Sequence, residues 1–67
     1  MSPKITKLHK SVGKKLKRRR KECGLTQEQL AERVKVSTVY IGYIEQGRYT
    51  PSLKLLDRIA RELRDHT

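Results

Sequence analysis

Two short capped segments, separated by only three residues, constrain this chain more than any other feature. The first opens at Thr26, whose spacing to Gln29 fits a capping box in which each side chain bonds the other's backbone N–H. Leu30, Ala31 and Val34 then share one face. Lys35, Val36 and Ser37 interrupt the pattern, and Ser37 is suited to cap a second helix over 37–46. Ile41 and Ile44 form the inward stripe of that helix, and Gly47 ends it. Helices this short are marginal alone, so each must bury its apolar face on the other. A three-residue turn lets them cross steeply, with Ala31 small at the crossing and Leu30, Val34, Val36, Ile41 and Ile44 filling the wedge. The second helix is left standing proud of the surface.

The flanks read as two further helices. Ser11 can cap a helix that carries Val12 and Leu16 one turn apart, and Gly24 suits its left-handed end. Residues 1–10 have no clear period and read as a basic arm, leaving 11–67 as the folded domain. Ser52 can cap a last helix whose apolar stripe is Leu53, Leu56, Ile59, Ala60 and Leu63, with Leu55 off that stripe. Nothing alternates with period two, so the expected class is all-α, a compact four-helix domain. A chain of 67 residues buries only ~60% of the surface its unfolded form exposes. The lone Cys23 allows no internal disulfide, and no Cys/His cluster has zinc spacing. Good helix chemistry or a dimer partner must supply the margin of stability.

Charge is placed unevenly. Of 17 Lys and Arg, ten lie in residues 1–21, which hold no acid; residues 22–67 carry the other seven and all seven acids. The net charge of +10 therefore sits in the first third of the chain and points to a polyanion. No apolar run follows the basic start, and none approaches membrane-spanning length. With a single thiol, these features lead us to expect a cytoplasmic, nucleoid-associated protein.

Specific residues tie the pattern to a family. Gly13, Leu16 and Arg20 precede Gly24-Leu25-Thr26-Gln27 and Leu30-Ala31; Val34, Val36, Ser37, Ile41, Ile44, Glu45 and Gly47 follow in register, then Pro51-Ser52-Leu53. The string resembles the phage-repressor and Cro class of helix-turn-helix domains, the xenobiotic-response-element (XRE) family, over about residues 11–64. The resemblance implies a lambda-repressor-like fold whose second short helix enters the major groove of double-stranded DNA. Many relatives add a fifth helix that serves dimerisation. Two positions depart from the pattern: Lys35 stands where the family has a turn glycine and is expected to hold a positive φ, and Arg19 replaces an apolar residue.

On this reading Thr38, Val39, Gly42 and Tyr43 are the base-contacting candidates. Thr38 can donate or accept, and Val39 can pack on a thymine methyl. No Arg, Asn or Gln takes a bidentate role, so apolar contact and DNA shape carry weight. Candidate phosphate contacts are Lys10, Lys14, Lys17, Arg18, Gln27, Ser37, Tyr40, Gln46, Arg48, Tyr49 and Thr50. Gln27 begins a helix whose free N–H groups suit a phosphate, and the resemblance implies that it also braces a side chain of the recognition helix. For Tyr49, packing against the loop is the competing expectation. Arg20 falls on the inward face after Val12 and Leu16 and needs a carboxylate; Glu45, the only acid in the recognition helix, is the expected structural partner.

The expected function is a sequence-specific transcriptional regulator, a repressor, acting as a homodimer on a two-fold operator with no cofactor, metal or membrane. Side chains for a nucleophile–base–orienter set are lacking, so no enzyme is expected. The alternatives are an antitoxin that binds DNA and a toxin protein, and a non-specific binder of RNA or membrane driven by the basic arm. Arg18–Lys21 also has the composition of a nuclear-localisation tract.

Overall fold

The computed structural model describes the backbone of residues 7–66 and the side chains of residues 10–64. Its four helices are α1 (Lys7–Glu22), α2 (Gln27–Val34), α3 (Thr38–Glu45) and α4 (Leu53–His66), with no strand among the described residues. The fold is all-α, with four helices in the expected order.

Local chemistry explains most of the boundaries. Thr26 and Gln29 form the reciprocal capping box, with bonds of 3.0 and 2.9 Å. Ser37 accepts from the Tyr40 N–H at 3.0 Å, and Ser52 from the Leu55 N–H at 3.1 Å. The first three helices end in one way. A residue with positive φ follows the last turn, and the next N–H reaches back five residues: Leu25 to Arg20, Val36 to Ala31, Arg48 to Tyr43. Gly24 and Gly47 adopt that conformation without a Cβ clash. Lys35 adopts it at φ 62°, so the non-glycine turn is held at some steric cost.

Helix α1 begins at Lys7, not Ser11. Ser11 lies inside the helix, and Lys7–Lys10, expected in the arm, are helical. No residue between Pro3 and Gly13 breaks a helix, so the serine at 11 is tolerated in its interior rather than marking its start. The remainder of the arm, residues 1–6, lies outside the described residues.

The core joins Leu16 and Leu25, the α2–α3 side chains Leu30, Ala31, Val34, Ile41 and Ile44, and Leu55, Ile59 and Leu63 from α4. The phase of α4 differs from expectation. Leu55 is buried, whereas Leu53 is 84% exposed, Ala60 is exposed and Leu56 is half-buried. Both phases have helical spacing, but Leu55, Ile59 and Leu63 recur every four residues and meet α2, which packs on α4. Arg58 reinforces that contact by donating to the Val34 carbonyl at 2.7 Å, which occupies one open acceptor at the end of α2.

Gly13 sets how closely α1 lies on α3. A Cβ there would collide with the Ile44 carbonyl oxygen and stand 2.7 Å from that of Glu45. Only a glycine lets the α1 backbone rest on the last turn of α3.

Candidate nucleic-acid interface

α3 presents an outer row and a supported base. Thr38, Val39 and Gln46 are exposed, Val39 to 60%. Tyr40 and Tyr43 are half-buried, and Ser37, although exposed, spends its hydroxyl oxygen on the Tyr40 cap. Gly42 differs from expectation: it is buried and presents nothing at the surface. A Cβ at 42 would lie 3.7 Å from the Gln27 Oε1, so the Gln27 side chain occupies the space that a longer residue would fill.

Gln27 is fixed from below. Its Nε2 donates to the Glu45 Oε1 at 3.0 Å. Arg20 holds the same carboxylate from the other side, Nε to Oε2 at 2.6 Å and Nη2 to Oε1 at 3.0 Å, while its Nη1 donates to the Leu25 carbonyl at 2.7 Å. The Arg20 and Glu45 side chains are only 8% and 3% exposed. Buried charges are tolerated when their donors and acceptors are matched, as here by a bidentate pair and two further bonds. Among the described residues no buried side-chain nitrogen or oxygen lacks a partner. This one network joins α1, the start of α2 and the last turn of α3, so it determines how the outer row of α3 is presented.

The loop after α3 forms an aromatic edge. The Tyr49 ring lies 5.9 Å from that of Tyr40 and 5.6 Å from that of Tyr43, and the Arg48 guanidinium stands 4.7 Å over Tyr43. Tyr49 therefore packs on the helix while staying half exposed, and Arg48 is held by a cation–π contact beside the α3 surface. Sequence reading grouped Tyr40, Arg48 and Tyr49 around one site but named no contact between them and Tyr43; the five-residue offset from Tyr43 to Arg48, bridged by the glycine turn, was the available sign of it. Thr50 is exposed on the same loop.

Lys10 reaches the same edge from α1. A Cβ on Gly47 would meet its Cγ at 3.1 Å, so the first described side chain of α1 lies against the turn that ends α3. Lys14, Lys17 and Lys21 follow Lys10 at helical spacing, all exposed, with Arg18 farther round the helix. The structure thus brings the α3 row, Gln27, the 48–50 loop and Lys10 together, while Lys14, Lys17 and Arg18 extend the basic surface along α1. No three His, Cys, Asp or Glu side chains cluster as a metal site among the described residues, and none of the described helices is long and apolar enough to cross a membrane.

This arrangement has counterparts. A helix-turn-helix family profile matches residues 16–64. An HTH-type transcriptional regulator of Methanothermobacter thermautotrophicus is 58% identical over 52 residues, covering 76% of this chain and 75% of that protein. The immunity repressor of Bacillus phage phi105 is 47% identical over 53 residues, 79% of this chain but only 37% of the repressor. Among solved structures, the clp gene regulator ClgR of Corynebacterium glutamicum superposes with a TM-score of 0.85 at 31% identity, covering 91% of this chain and 65% of that one.

Proposed function

The chain belongs to the helix-turn-helix family of DNA-binding transcriptional regulators, and from that premise we propose that it acts as a repressor that reads the major groove with α3. The observation that carries this reading is the exposed, acid-free row on a helix whose own acid, Glu45, is turned inward and neutralised by Arg20. A carboxylate left on that surface would repel the phosphates on either side of a groove.

Roles divide by position. Thr38 and Val39, both exposed, meet base edges, Val39 by apolar contact. Tyr43, clamped beneath Arg48, meets the base edges with its ring rim. Gln27 takes the place that Gly42 vacates and, at the N-terminus of α2, donates to a phosphate. Ser37, Tyr40, Gln46, Arg48, Tyr49 and Thr50 surround the row with phosphate contacts, and Lys10, Lys14, Lys17 and Arg18 extend the grip along α1. Catalysis has no part in this mechanism.

The regulator works as a homodimer on a two-fold operator, with half-sites about one helical turn apart, ~34–36 Å. Leu53, 84% exposed at the start of α4 and close in sequence to the 48–50 loop, supports that contact, whereas the neighbouring Leu55 is buried in the core. The protein is placed on the nucleoid by its ligand. Nothing in its relatives favours the antitoxin alternative.

Salt titration tests the grip. Affinity for a bound duplex should fall by about 0.9 log unit per log unit of salt for each phosphate neutralised. Lys14→Ala with Lys17→Ala should make that slope shallower by up to about two phosphates' worth while leaving the preferred sequence unchanged. A slope unmoved by both changes removes α1 from the interface.

A further inference from the structure

α1 has two flanks. Lys10, Lys14, Lys17 and Lys21 share one, beside the end of α3; Val12, Lys15 and Arg19 share the other, turned toward α4. Between that second flank and α4 runs an open groove of about 500 Å³. Its floor is Val12, Leu16, Leu56, Ile59, Ala60 and Leu63, and its rim is Lys15, Arg19 and Arg64. No acid lines it, although Glu22 next to it pairs with Arg19 at 2.8 Å. The wedge between α2 and α3 is filled by Leu30, Val34, Ile41 and Ile44; this groove is filled by nothing among the described residues.

The groove's dimensions and charge choose its occupant. Its α1 wall spans residues 12–19 and its α4 wall 56–64, about 10–12 Å each at 1.5 Å per residue. That length accepts one apolar helix face with anchors at i, i+3, i+4 and i+7. DNA cannot occupy it, because the floor is apolar. A second copy of the chain seated here through the same groove would bring its own rim of Lys15, Arg19 and Arg64 onto an interface that already carries those charges and has no acid lining it. We propose that the α1–α4 groove is a docking site for an acidic amphipathic helix of another protein, whose apolar face covers Leu56 and Ala60 and whose carboxylates meet Lys15, Arg19 and Arg64. Because the groove lies on the flank of α1 opposite Lys10, Lys14 and Lys17, such a partner can bind while the regulator is on DNA.

The probe is a labelled 16-residue peptide with leucines at helical spacing and glutamates elsewhere, read by fluorescence anisotropy on the full chain. Its control is a scrambled peptide of the same composition. The ordered peptide should bind at least tenfold tighter than the scramble, and adding saturating duplex should not displace it. Ala60→Glu changes an exposed residue of the floor and should weaken the peptide tenfold or more, with duplex affinity unchanged. Lys15→Glu should weaken it several-fold, so the rim is tested apart from the floor. Equal binding of the scramble means attraction by charge alone and overturns the proposal. Displacement by duplex places the peptide on the DNA face and also overturns it, as does indifference to both substitutions. So does a concentration-dependent dimer in sedimentation that Ala60→Glu dissolves, which would make the occupant a second copy.

Discussion

The α2–α3 pair and the α1–α4 pair are made of the same kind of helix, but they are finished differently. Between α2 and α3 each helix starts on a capping side chain, ends on a positive-φ turn and buries its whole apolar stripe. Between α1 and α4, Leu56 and Ala60 border an open groove instead. The first pair meets across three residues, so local spacing decides which side chains face each other. The second pair meets across thirty, and the faces of its helices are decided by what packs on them from elsewhere. The first kind of contact holds a surface rigid for reading; the second leaves a surface to be covered.

The largest effect should come from the network that binds the two halves. Glu45→Ala leaves Arg20 buried without its carboxylate, and should cost about 3–5 kcal/mol. For a domain of this size each kcal/mol lowers Tm by roughly 4–8 °C, so thermal unfolding followed by circular dichroism should show a drop above about 10 °C or no folded state at all. An unchanged Tm would mean that the pair joins nothing.

Next is the phase of α4. Leu55→Ala removes a buried side chain and should cost about 2–5 kcal/mol in urea unfolding, whereas Leu53→Ala should stay within about 0.5 kcal/mol. The reverse ranking would return the helix to the phase expected from its sequence and close the groove. The smallest effect should come at the turn between α2 and α3. Lys35→Gly relieves a left-handed lysine at the cost of unfolded-state entropy and should raise stability by about 0.5–1 kcal/mol, visible as a higher urea midpoint with the same slope.

These cases also show where a sequence is legible. Thr26, Gln29, Ser37 and the glycines at 24 and 47 act on backbone groups within a few residues, so their effect can be read from spacing alone. Arg20 and Glu45 could be matched because each was a charge on an inward face with one available partner. The phase of α4 could not be read, since two interleaved leucine series fit the same period and only the position of α2 selects Leu55. The start of α1 was missed because a serine that suits a cap also sits within a helix. In the site, α3 was located from its caps and stripe, but Gly42 was expected on the outer row and is instead buried beneath the Gln27 side chain. That burial depends on a side chain crossing from another helix. The role of Gly13 likewise appears only once α1 lies on the carbonyls of Ile44 and Glu45.

The central claim is that the outer row of α3 supplies the address. Fragments selected from random duplex DNA by the unaltered chain should converge on a two-fold motif. Repeating the selection after changing Thr38 and Val39 should yield a different preferred motif at the positions those residues reach, with the overall affinity for duplex retained. An unchanged motif would contradict the account, because the sequence would then be read by some other surface.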